Sequence, residues 1–122
     1  MDKFDIACES YRKGDYFKAL IEFKESLLTN DDLGKCLYNI GVCYIKLKNF
    51  EKAIEYLLEA TKAENNYQYF YNLGYVYARL LDFKKSYVSV KMASALKPDD
   101  VGVQELIKFL ENKIIFKKKE EK

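Results

Sequence analysis

Histidine and tryptophan are missing from this 122-residue chain, and proline occurs once, at Pro98. Without imidazole there is no ordinary general base near neutral pH and no histidine ligand for a metal, which removes most catalytic and zinc-centred readings. Cysteine is scarce. Cys8, Cys36 and Cys43 are odd in number and form no CxxC pair, so a reduced, cytoplasmic protein is the simpler expectation. No apolar run approaches the ~18 residues of a membrane span. The opening MDKFDIACES places acids where a signal peptide needs a hydrophobic stretch, so no membrane segment is expected in the chain as given. GxGxxG and P-loop patterns are absent, as are Gly- or Ser-rich linkers, and no cofactor is expected. An excess of one charge is missing too. With 21 Lys and Arg against 19 Asp and Glu, the net charge of +2 predicts neither a nucleic-acid binder nor an acidic disordered tail.

What is present is helical periodicity. Hydrophobic residues make up 49% of the chain, enough for one domain with a core of its own. From Leu37 to Ala60, LYNIGVCYIKLKNFEKAIEYLLEA fits two short amphipathic helices. One carries Leu37, Ile40, Gly41 and Tyr44 on a face; the other carries Phe50, Ala53, Ile54, Leu57 and Ala60 at the i, i+3, i+4, i+7 spacing of a buried stripe. Asn49 stands between them as an N-cap. Gly41, Ala53 and Ala60 let two helix backbones approach.

The pattern recurs at about 34 residues. Before it come Ala7, Gly14, Asp15, Tyr16, Ala19, Phe23 and Ser26, a looser copy with Ser10 in the place of Tyr44; after it come Phe70, Leu73, Gly74, Tyr77, Asp82, Phe83, Ser86, Val90 and Ala93. Asp15, Asn49 and Asp82 each fall at the start of a second helix. Asp31 and Asp32, then Asn65 and Asn66, separate the hairpins, and Pro98 with Asp99 and Asp100 marks the last break. Beyond it Val103, Leu106, Ile107, Leu110 and Ile114 form the stripe of an unpaired helix.

Leu-Gly, Tyr, Ala, Phe, Ala and Pro in this order resemble the tetratricopeptide (TPR) repeat. The resemblance implies an all-α, right-handed solenoid of three TPR hairpins plus a C-terminal capping helix, seven helices in all. They would form a single domain, with repeats at about 1–31, 32–65 and 66–98 and the cap at about 99–118. It also implies a protein interaction module, not an enzyme, that holds a partner peptide on a concave groove lined by the first helix of each hairpin.

Mapped onto this chain, the groove would take Phe4, Asp5, Cys8, Tyr11 and Arg12; then Tyr38, Asn39, Val42, Ile45 and Lys46; then Tyr71, Asn72, Tyr75 and Arg79. Asn39 and Asn72 share a register, and an amide both donates and accepts, as a peptide backbone requires. Arg12, Lys46 and Arg79 share another, which would favour acidic ligands. The clamp that holds Hsp70 or Hsp90 tails is not matched. Only Asn39 stands in a clamp place; the others hold Phe4, Cys8, Gln68 and Asn72, so the tail-binding cations are missing. Helix-face carboxylates such as Glu22, Glu25, Glu51 and Glu55 read as surface partners of lysines. Two other uses stay open. One is an oligomerisation or assembly scaffold, with a homodimer contact through Phe109 and Phe116; the other is a dedicated client chaperone. The tail from Lys117 to Lys122 reads as a solvated, frayed end.

Overall fold

In the computed structural model, residues 2–29 and 32–120 are described, those at 116–118 and 120 by their backbone only. Asp31, one of the expected breaks, lies outside them, as do the side chains of Phe116, Lys117 and Lys118. Among the described residues there are seven α-helices and no strand. The chain divides into two compact units, Met1–Asn65 and Asn66–Lys122.

The first unit holds two helical hairpins, α1 (Lys3–Arg12) with α2 (Tyr16–Leu27) and α3 (Leu33–Lys46) with α4 (Phe50–Ala63). The second holds α5 (Tyr67–Arg79) with α6 (Phe83–Leu96), followed by α7 (Val101–Glu120). Helix α7 therefore runs through Glu120, into the stretch from Lys117 expected to fray, of which residues 121 and 122 lie outside the described residues.

All three hairpin turns are built alike. Each first helix ends in a residue with left-handed backbone, Gly14 (φ 81°), Lys48 (φ 61°) or Leu81 (φ 64°). The next residue's N–H then bonds back across the turn, Asp15 to Ser10 O (3.0 Å), Asn49 to Tyr44 O (2.9 Å) and Asp82 to Tyr77 O (2.9 Å). This is the Schellman closure, which satisfies carbonyls that a helix end leaves unpaired. The same three residues open the second helices. Asp15 Oδ1 accepts from Lys18 N–H (3.2 Å), Asn49 Oδ1 from Lys52 N–H (3.3 Å) and Asp82 Oδ1 from Lys85 N–H (3.2 Å). One short polar side chain thus stops one helix and starts another. Asp32 and Asn66 cap α3 and α5 in the same manner.

Small residues set how closely the helices of a hairpin approach. Ala7, Ala19, Ala53, Ala60 and Ala93 are all fully buried. In the first unit, Phe23, Ile40 and Leu57 fill the space beside them. Phe4, half-buried, meets Phe23 edge-on with ring centroids 5.4 Å apart, so part of its surface serves packing. Ser10, which replaces a tyrosine of the pattern, is buried and donates its hydroxyl to Glu22. Glu22 therefore pairs across α1 and α2 and not with a surface lysine; Glu55 does pair with Lys52, at 3.2 Å.

In the second unit Val90 and Ala93 from α6 meet Val103, Ile107 and Leu110 from α7, with Phe70, Tyr71, Phe83, Tyr87 and Leu106 packed around them. Asp100 Oδ2 caps α7 by accepting from Val103 N–H (3.0 Å), and Gln104 Nε2 donates to Pro98 O (2.9 Å), so the break at Pro98 is tied to the helix it introduces.

Candidate functional site

The predicted site residues lie on the first helices of the hairpins, and each unit carries its own share. On α1, Cys8 and Tyr11 are half-buried and Arg12 is exposed. Burial pushes the Cys8 thiol up, opposed by the nearby cation of Arg12. Arg12 Nη2 lies 2.6 Å from Glu9 Oε2, and that hydrogen bond holds the Glu9 carboxyl below its usual range. Arg12 thus already has a carboxylate of its own helix. Tyr11 is tilted against Tyr16 with centroids 5.2 Å apart.

On α3, Tyr38, Asn39, Val42 and Ile45 are half-buried and Lys46 is exposed. Asn39 Nδ2 donates to Lys35 O, four residues back, at 2.8 Å. The Lys46 ammonium stands 5.8 Å from the ring centre of Tyr16. A cation that the sequence did not single out, Lys35, sits 5.0 Å from the Phe4 ring centre. It brings positive charge to a place where the clamp comparison found only Phe4. No pattern along one helix reveals this, because α3 supplies the charge and α1 the ring.

On α5, Tyr71, Asn72 and Tyr75 are half-buried and Arg79 is exposed. Asn72 Nδ2 donates to Gln68 O at 3.0 Å, repeating the pose of Asn39. Tyr71 serves packing as well as surface. Its Oη would lie 3.5 Å from a Cβ placed on Gly102, and burial, then Asp100 and Glu105, raise its phenol.

Phe109, for which the sequence leaves open both packing on the third hairpin's edge and a dimer or docking contact, is half-exposed, and its ring stands edge-on to Phe83 at 6.2 Å. Beside it a cleft of about 540 Å³ opens between α6 and α7, lined by Tyr87, Lys108, Glu111, Asn112, Ile114 and Ile115. None of the residues predicted for peptide binding lines it.

The thiols offer little nucleophilicity. Cys36 and Cys43 are fully buried, and burial raises both, Cys43 to about 12. A thiol held protonated at neutral pH is a poor nucleophile. Maleimide added to the native protein at pH 7 should therefore label Cys8 alone, and Cys36 and Cys43 only after denaturation. Intact mass and peptide mapping read the result; native labelling of Cys43 would contradict the burial. Among the described residues, no group of three or more His, Cys, Asp or Glu is placed to hold a metal ion. No helix among them is long and apolar enough to cross a membrane.

Comparison with known proteins bears on this arrangement in two ways. The tetratricopeptide repeat family pattern matches residues 34–67, the segment that begins α3 and runs through α4. Among solved structures, the first TPR domain of Spaghetti (RPAP3), bound to the HSP90 peptide SRMEEVD, superposes with a TM-score of 0.88 at 12% identity, covering 93% of this chain and 90% of that one. The Yersinia enterocolitica type III secretion chaperone SycD, in complex with a peptide of the translocator YopD, gives 0.84 at 12% identity, covering 91% of each chain. The C-terminal TPR-containing domain of a putative FK506-binding protein from Plasmodium falciparum gives 0.83 at 21% identity, covering 97% of this chain and 89% of that one. Comparison with curated protein sequences finds no match.

Proposed function

From a chain that carries a tetratricopeptide repeat and has the all-α fold of TPR domains, we propose a non-catalytic adaptor that captures a partner peptide on the first helices of its hairpins. The contacts assigned to the ligand are Cys8, Arg12, Tyr38, Asn39, Val42 and Lys46 in the first unit, and Tyr71, Asn72, Tyr75 and Arg79 in the second.

The observation that carries this reading is the shared pose of Asn39 and Asn72. Each carboxamide is anchored through Nδ2 to the carbonyl four residues back. An amide held this way loses little rotamer freedom when a peptide docks, so less of the binding energy is spent on ordering. The amide on α3 in the first unit, and its register equivalent on α5 in the second, can each donate to and accept from a main chain, which sets no demand on sequence. Tyrosines beside them add contact area with a polar tip. Acidic side chains of the ligand would meet the cations Lys46 and Arg79, and Arg12 also pairs with Glu9 of its own helix. An Hsp70 or Hsp90 tail is not the ligand proposed, since Cys8, Gln68 and Asn72 replace clamp residues, although Lys35 returns one cation near Phe4.

Asn72→Ala combined with Arg79→Glu should reduce partner capture from native lysate at least tenfold, roughly the loss of one binding hot spot. The melting temperature should hardly change, since Arg79 is exposed and Asn72 only half-buried. Capture is followed by mass spectrometry and melting by circular dichroism. Undiminished capture by the double variant would move the site elsewhere on the chain. The assembly reading through Phe109 and Phe116 predicts a dimer in light scattering at tens of micromolar; the edge-on seat of Phe109 against Phe83 favours packing over such a contact.

A further inference from the structure

The helix α6 is inverted relative to ordinary amphipathic practice. Its buried side carries Ser86 and Ser89 next to Val90 and Ala93, while Val88, Met92 and Leu96 face solvent, with 64% of Val88 exposed. These three stand four residues apart and form one ridge about 12 Å long, at 1.5 Å rise per residue. Leu81, in the turn before the helix, is 74% exposed and holds a left-handed backbone, φ 64°, that L side chains seldom adopt.

The charged side chains of α6 itself are of one sign, with Asp82 at its N-cap and Glu111 of α7, which accepts from Tyr87 Oη at 3.5 Å, as the neighbouring acids. Within Phe83–Leu96 stand Lys84, Lys85 and Lys91 and no acidic residue. Among the described residues, none of the three makes an ion pair; Lys85 and Lys91 instead lie 5.8 and 5.9 Å from the ring centres of Tyr77 and Tyr87. The corresponding helix of the second hairpin differs. On α4, Lys52 pairs with Glu55 and Lys62 with Glu59, both at 3.2 Å, so its solvent side is balanced.

We propose that the solvent face of α6 is a docking surface for an acidic amphipathic helix of a partner protein, distinct from the peptide-binding face of the first helices. A ridge one side chain wide, with a four-residue step, fits the groove between two such rows on another helix. The bordering lysines select acids on either side of the partner's apolar row. A second copy of this chain would bring the same lysines against themselves. Entry into lipid calls for a broader apolar face than three side chains over two turns supply.

The test uses the full chain and a fluorescein-labelled helical peptide with leucines at i, i+4 and i+8 flanked by glutamates. A control peptide has lysine at every glutamate. Anisotropy should show binding of the acidic peptide only, weakening as salt rises. Met92→Glu should lower its affinity roughly tenfold or more with an unchanged melt, because the side chain is exposed. The proposal is overturned if neither peptide binds, if both bind alike, or if Met92→Glu binds as the parent does. It is equally overturned if the ridge instead attaches the chain to phosphatidylserine vesicles, or drives self-association in light scattering that Met92→Glu abolishes.

Discussion

Replacing Gly74 with leucine should unfold the second unit, with a loss on the order of 4 kcal/mol or more. A Cβ at this position would lie 2.3 Å from Val90 Cγ2 and 3.2 Å from the backbone oxygen of Ser86. The first atom belongs to a β-branched side chain with one strongly favoured rotamer in a helix; the second cannot move without α6. The crossing is also fastened there by a buried hydrogen bond, Ser86 Oγ to Gly74 O at 2.6 Å, which a shifted helix would break. Gly41 occupies the equivalent place in the first unit under easier terms. Its added Cβ would meet Leu57 Cγ at 2.8 Å and Cδ2 at 3.0 Å, so this buried side chain must shift, but no backbone atom lies closer than the Ala53 oxygen at 3.5 Å. Alanine scanning should separate the two sites. Gly41→Ala should cost less than Gly74→Ala, because only the Leu57 side chain must shift and Ala gains ~1 kcal/mol over Gly in a helix, whereas Gly74→Ala should destabilise by ~1–3 kcal/mol. Chemical denaturation of both variants measures the difference, and equal losses would contradict the geometry.

Ending the chain after Lys97 should leave a molten or aggregating product without a cooperative melt. Truncation removes Val103, Ile107 and Leu110, which supply most of the apolar surface facing Val90 and Ala93. At ~1.5–3 kcal/mol per buried aliphatic side chain, the three together contribute about 5–9 kcal/mol as an upper figure, against the ~5–15 kcal/mol that stabilises a whole domain. Tyr71, Phe83 and Tyr87 would lose a neighbour as well. Dye binding should rise and the sigmoidal thermal transition should vanish. A truncated chain that melts cooperatively at the parent midpoint would show that α7 is dispensable.

These expectations rest on features that differ in how visible they are in sequence. The caps Asp15, Asn49 and Asp82 were legible because a short polar residue before an apolar stripe has one local job, and it does that job in every hairpin. The α7 stripe was legible because a helix with a single buried side obeys the 3.6 period throughout. Residue polarity alone does not report exposure, and the repeat register placed Ser10, Ser26 and Ser86 at packing positions where polarity would not. Ser10, Ser26, Ser86 and Ser89 are buried since close crossings select by size, and a serine hydroxyl can be satisfied by a nearby helix carbonyl or carboxylate. The apolar ridge on α6 was not legible because the repeat register names the packing positions Phe83, Ser86, Val90 and Ala93 and leaves Val88, Met92 and Leu96 unassigned. Contacts between helices, such as Lys35 over Phe4, have no signature along the chain, because their partners are set by packing and not by spacing. For the proposed peptide-binding face, the repeat register supplies candidate positions, while the pose of Asn39 and Asn72, each donating to the carbonyl four residues back, was not readable.

Lys24 of α2 donates to Tyr44 Oη on α3 at 2.7 Å, and its ammonium stands 5.2 Å from the Tyr44 ring centre and 5.8 Å from that of Tyr56 on α4. One lysine thereby rivets three helices drawn from both hairpins of the first unit. Fraying of the amino-terminal pair must break this hydrogen bond and withdraw the cation from beside both rings. Amide hydrogens along α2 and α3 are accordingly expected to share part of one opening step.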